Sequence, residues 1–135
     1  MRTEKDFLGT LEIDDFALYG IHSLRAKHNF SNQTLFPIEW YKAMGTVKLA
    51  CYITYEKLKN EAQKQANLNS LHFFDDHIII ALQNAASDVK QGKYFEHFIV
   101  PAIQGGAGTS INMNINEIIT NLALQHIGKK AGEYH

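Results

Sequence analysis

The sequence predicts a mainly α-helical single domain, and three observations carry that expectation. Apolar residues recur at helical spacing over three stretches, cap and stop residues bracket those stretches, and only one short segment alternates like a strand. The expected layout is an irregular N-terminal segment with at most a short β element, then about three to five helices. Two prolines and nine glycines, with no low-complexity run or visible repeat, leave no internal boundary.

Residues 7–37 mix apolar residues with turn formers and hold no helical period; within them Leu8-Gly9-Thr10-Leu11-Glu12-Ile13 alternates and reads as a short strand. Pro37 suits the first turn of a helix, and Ala43, Val47, Ala50, Cys51, Thr54 and Leu58 then define one apolar face over residues 38–64. Asp75 or Asp76 is the N-cap of a second helix lined by Ile78, Leu82, Ala85 and Val89 and stopped at Gly92. Residues 95–104 are apolar but contain Pro101, which argues against a central strand and for a helix turn or extended connector. After Gly105-Gly106-Ala107-Gly108, the residues Ile111, Ile115, Ile118, Ile119, Leu122 and Ile127 keep a helical period as far as Gly128. Ser110 is one candidate cap of this last helix, and Asn114 with Glu117 three residues later is the other.

Composition removes several functions. The 135 residues carry 13 Lys+Arg against 14 Asp+Glu, a net charge of -1 with no basic run, so nothing in the charge favours a phosphate backbone, and no nucleic-acid partner is expected. The longest apolar stretches fall far short of the roughly 18 residues of a membrane span, and no signal core follows the charged N-terminus. The lone Cys51 has no partner for an internal disulfide. The expected address is the cytoplasm.

The chemistry concentrates after residue 104. Three glycines allow close backbone approach, and the helix that follows directs unpaired N–H groups and its positive dipole end at the same spot, with Thr109 and Ser110 adding hydroxyls. That outline suits a carboxylate or phosphate oxygen. A tight turn before a Ser110-capped structural helix is the competing reading. A nucleotide-binding P-loop is rejected because its lysine position holds Gly108. Asn112, Asn114, Asn116 and Asn121 are poor helix formers, which suggests a hydrogen-bond network or pocket wall, with Asn121 read as solvated. The histidines at 22, 28, 72, 77, 97, 126 and 135 lack zinc-site spacing, and no metal or cofactor is expected. Cys51 reads as a small packing residue, Tyr41, Tyr52 and Tyr55 as helix packing, and Arg25 as half of a structural salt bridge.

Two stretches resemble the aspartase/fumarase superfamily. GGAGTSINMNINEIITNLALQHIG, residues 105–128, is similar to its helix-start signature. Residues 2–9, of the form RxExDxLG, and Ala17-Leu18-Tyr19-Gly20-Ile21-His22-Ser23-Leu24-Arg25-Ala26 resemble the opening of the aspartate ammonia-lyases, with a YYG(V/I)HTLRA element. Gly132-Glu133-Tyr134 is also similar. Fumarases read WGAQTQR and GSGTQSNMN at the two motifs, and the argininosuccinate and adenylosuccinate lyases share neither string. The chain departs from the aspartase pattern at Leu122, Leu18 and Asp14-Asp15-Phe16.

The resemblance implies the lyase N-terminal domain over residues 1–135, without the central helical bundle and C-terminal domain, of a homotetrameric enzyme that eliminates ammonia from L-aspartate to give fumarate. It implies that Thr109 binds a substrate carboxylate with Gly108 and Ser110 beside it, and that Asn112 and Asn114 line or support the site; Arg25, whose planar fork can pair with a carboxylate, is a further candidate support. No catalytic residue is expected in the chain, because the general-base serine of this family lies in a GSSxMPxKxNP segment that it does not contain. Alone, the 135 residues are expected to be inactive. Fumarate hydratase is the alternative within the superfamily, and a non-catalytic helical binding or assembly module is the alternative outside it.

Overall fold

Two five-residue runs, Arg2–Asp6 (β1) and Gly9–Ile13 (β2), pair antiparallel with Arg2 opposite Ile13 and Asp6 opposite Gly9. The turn between them is closed by the Leu8 N–H donating to Asp6 Oδ1 at 2.9 Å, and Gly9 takes φ +116°, which a residue with a Cβ rarely adopts. The computed structural model describes residues 1–65 and 71–134; His135 lies outside the described residues.

The region expected to be irregular contains, besides this hairpin, a nine-residue helix, Ile21–Asn29 (α1). No side chain of its own caps it, which is why no local signal announces it. Its cap comes from elsewhere in the chain. The carboxylate of Glu117 accepts from the N–H groups of Gly20 (2.8 Å), His22 (3.0 Å) and Ser23 (3.2 Å) and from the Ser23 hydroxyl, while Glu4 accepts from Ile21 N–H at 2.9 Å. All four orphan N–H groups of the helix start are therefore satisfied by two buried carboxylates.

The long helix Ile38–Ala62 (α2) starts at Pro37 as expected. Its buried face differs from the expected one. Tyr41, Gly45, Lys59 and Ala62 are buried, whereas Val47 and Leu58 are more than half exposed and Cys51 faces solvent. The helix carries two apolar stripes, and the one with Gly45 wins because a missing side chain lets the backbone of the next helix approach closely. That next helix, Asp76–Lys90 (α3), presents Ala81, Ala85, Ala86 and Val89 to the core. Asp75 occupies its cap position through backbone geometry alone, without a side-chain bond, and Gly92, at φ +85°, ends it as expected. The buried ammonium of Lys59 donates to Phe74 O and to Asp76 Oδ1, both at 2.7 Å, fastening the end of α2 to the start of α3.

A 3-10 turn, Phe95–His97, and an extended run follow, the connector expected around Pro101. The last helix, Thr109–His126 (α4), packs on α3 and α1 and supplies Ile115, Ile118, Ile119 and Leu122 to the core, with Tyr41, Phe98 and Val100 completing it. Gly108, at φ +80°, takes the cap position, so neither Ser110 nor the Asn114–Glu117 pair caps α4. Asn114 instead holds the connector: its Oδ1 accepts from Ile99 N–H at 2.8 Å and Val100 N–H at 3.3 Å, and its Nδ2 donates to His97 O at 3.1 Å. Asn121, expected on a solvated face, is fully buried, donating to Leu18 O at 2.8 Å and accepting from Gly132 N–H at 2.9 Å. Among the described residues, no helix is long and apolar enough to cross a membrane.

His97 makes this packing sensitive to acid. Its Nδ1 accepts from Leu18 N–H at 3.4 Å, and burial lowers the imidazole below its ordinary value of 6.5, against a smaller opposing pull from Glu96. In the window between the lowered folded value and the ordinary unfolded one, the unfolded chain binds more protons, so stability falls as pH drops through it. The midpoint of urea denaturation is expected to fall from about pH 7 to about pH 5, and to fall less in His97→Gln; equal slopes would remove His97 as the cause.

Candidate functional site

Gly108, Thr109, Ser110 and Asn112 all belong to the start of α4, Gly108 at its cap position and the others in its first turn. Gly106 and Gly108 both have positive φ, so the chain reverses sharply and delivers Thr109, exposed, and Ser110, half-buried, at the helix mouth. No side chain caps this helix, its first turn holds no acidic residue, and the first bond into it runs from Asn112 N–H to Gly108 O at 3.1 Å. The N–H groups of Thr109, Ser110 and Ile111 precede that bond and have no partner within the helix. Free backbone donors and the positive dipole end stand at this helix start, with the Thr109 and Ser110 hydroxyls in its first turn, the outline that suits a carboxylate oxygen.

The other sequence-predicted residues divide. Asn112 is exposed one turn along, and its Oδ1 accepts from Lys48 Nζ of α2 at 2.6 Å. Asn114 faces the core and organises the connector, as above. Arg25 is a structural partner, as its sequence reading had it: Nε and Nη2 grip Asp6 at 2.7 and 2.9 Å, and Nη2 also reaches Gly9 O at 3.2 Å. That hydrogen-bonded guanidinium holds the Asp6 carboxyl below its ordinary value.

An open cleft of 730 Å³ joins Ser110 to Arg25, His22 and His28 on α1, and a second of 520 Å³ continues past His22 to Asn116, Thr120 and Tyr134. Both run between α1 and α4, so Glu117, by capping α1, sets the spacing of the two walls. Sequence reasoning passed over His22, which lines both clefts, and Lys48. His22 sits within a recognised motif, but Lys48 meets Asn112 only through the packing of helices 64 residues apart, and no local signal marks it. Among the described residues, no group of three or more His, Cys, Asp or Glu side chains is placed to hold a metal ion.

No protein-family model matches the chain. Among curated proteins it is 42% identical over 99% of its length to an aspartate ammonia-lyase of Helicobacter pylori, 41% over 98% to that of Bacillus subtilis, and 38% over 99% to that of Escherichia coli. The chain spans 26% of the length of each of these relatives. Among solved structures, a fumarate lyase:delta crystallin from Brucella melitensis superposes with a TM-score of 0.84 at 35% identity, over 99% of this chain and 28% of that one. A class II fumarase from Schistosoma mansoni gives 0.79 at 23% identity, over 98% of this chain and 26% of that one, a likeness of fold alone.

Proposed function

We propose that this chain, a member of the aspartase/fumarase superfamily, is the N-terminal domain of an aspartate ammonia-lyase and that Thr109, with Gly108 and Ser110, supplies part of its substrate carboxylate site. The supporting observation is the uncapped start of α4, where free backbone donors open a first turn that carries Thr109 and Ser110 and no acidic side chain to compete. Elimination of ammonia from aspartate removes a proton from the carbon beside the side-chain carboxylate, gathers negative charge on that carboxylate as an enediolate, and expels the amine. Donors fixed in advance at a carboxylate stabilise that charge as it develops. In this reading the chain binds and orients substrate, Asn112 lines the site, and proton abstraction falls to a serine outside residues 1–135. The homotetramer and the cytoplasmic address belong to the same proposal.

The test is the activity of the complete gene product, followed by the ultraviolet absorbance of fumarate with L-aspartate and with L-malate as substrates. Turnover of aspartate alone is the expected result. Replacing Thr109 with Val is expected to lower kcat/KM for aspartate about tenfold, the size of one hydrogen bond to a charged group. Turnover of malate in its place would make the protein a fumarate hydratase. Turnover of neither would leave a non-catalytic module.

A further inference from the structure

We propose that the exposed apolar face of α2 is an interface for a second copy of this chain, whose own α2 packs on it antiparallel about a two-fold axis passing between Ala50 and Cys51. The inference is independent of the lyase reading and of the α4 site.

A helix at a surface ordinarily turns polar residues away from its core face. Here Ala43, Val47, Ala50, Cys51, Thr54 and Leu58 recur at helical spacing on the side opposite Gly45, and all six are exposed. The threonines make the face more apolar than their names suggest. The Thr54 hydroxyl donates to Ala50 O at 2.8 Å and that of Thr46, on the flank, to Lys42 O at 3.2 Å, so each polar atom is engaged on its own helix and a methyl is left for a neighbour.

The order of sizes along the face selects the occupant. Turning one copy end for end about that axis sets Leu58 of each against Ala43 of the other, Val47 against Thr54, and Ala50 against Cys51. Large meets small at both ends, and small residues meet at the centre, where the backbones can approach closely. Charge selects the same direction. The acidic first turn, with Glu39, then lies beside the end that carries Lys57 and Lys64, where the one carboxylate, Glu61, is already paired with Lys64 at 2.7 Å. A parallel pair would set Glu39 against Glu39 and Lys57 against Lys57, with the helix dipoles aligned rather than opposed. With Thr46, Ile53 and Lys57 on its flank the face offers roughly 600 Å² per copy, about 1,200 Å² for the pair, the lower bound of a specific interface, so a reversible dimer with a dissociation constant on the order of 100 μM is expected.

The experiment is sedimentation velocity of the chain from about 10 to 500 μM, a range that brackets this constant, together with a short bismaleimide that links cysteines across the axis. The wild type is expected to sediment faster as concentration rises. Ala50→Glu, which sets two like charges at the axis of an exposed face, is expected to stay monomeric with an unchanged circular dichroism spectrum. Cys51, the single cysteine, is expected to link to its copy. The double variant Ala43→Cys, Cys51→Ala is not, because its two cysteines would lie about 22 Å apart along the antiparallel pair. A mixture of that variant with Leu58→Cys, Cys51→Ala is expected to link again. Monomers at every concentration, association that survives Ala50→Glu, or equal linking at every position would each overturn the proposal. So would a complete gene product in which Cys51 is shielded from maleimide without linking to its copy, since the rest of that polypeptide would then cover the face.

Discussion

Glu117→Ala is expected to cost about 4 kcal/mol, a quarter or more of the 5–15 kcal/mol margin of an ordinary domain, because it leaves three backbone N–H groups and one hydroxyl at a buried helix start without an acceptor, each worth roughly 1–3 kcal/mol. Those groups belong to Gly20, His22 and Ser23, and they share a single carboxylate. Glu117→Gln fails for a related reason: its amide nitrogen turns a donor toward donors. A side chain at Gly20 would push that carboxylate off its donors, since a Cβ there would lie 2.7 Å from Glu117 Oε1. The measurement is urea denaturation of the two Glu117 variants followed by circular dichroism. A loss below about 1 kcal/mol in Glu117→Ala would mean that water replaces the carboxylate, and would remove Glu117 as the keystone of α1.

The second large effect is at Gly45, where two arguments oppose each other. Within a helix, glycine to alanine gains about 1 kcal/mol from intrinsic propensity. At this position, however, the added Cβ meets the backbone nitrogen of Lys90 and lies 2.8 Å from both Lys90 Cα and Val89 C, atoms of α3 that no rotamer change can move aside. Overpacking against backbone costs about 3 kcal/mol or more, so the clash wins and Gly45→Ala is expected to destabilise by about 2 kcal/mol net. Exposed Thr46, one residue along, provides the control: Thr46→Ala is expected to be neutral or stabilising. A Gly45→Ala variant that melts above the wild type would show that α2 and α3 separate freely.

The legible features are those whose cause is local. Pro37, Gly92 and Gly108 mark the ends of helices because φ and the missing proline donor are properties of single residues, and α2, α3 and α4 fall close to their expected bounds. Thr109 and Ser110 are legible as a candidate site for the same reason, being adjacent at a helix start. What was not legible depends on partners far along the chain. α1 is short, lacks a cap of its own, and is stabilised by Glu117, nearly a hundred residues later. Asn121 looked solvated because its partners, Leu18 and Gly132, are brought to it only by the completed fold. On α2, two stripes fit the helical period, and the choice between them rests on how near α3 comes at Gly45, a fact about another helix.

The borrowed cap of α1 also sets an order of events during synthesis. Residues 1–30 leave the ribosome well before Glu117 is translated, so the hairpin and α1 emerge with a helix start whose principal acceptor does not yet exist. A nine-residue helix is marginal in isolation. The nascent N-terminal segment therefore stays open to proteases and chaperones until α4 is made, and α4 in turn needs α3 to bury its apolar face. The fourth helix thus decides when the first becomes protected.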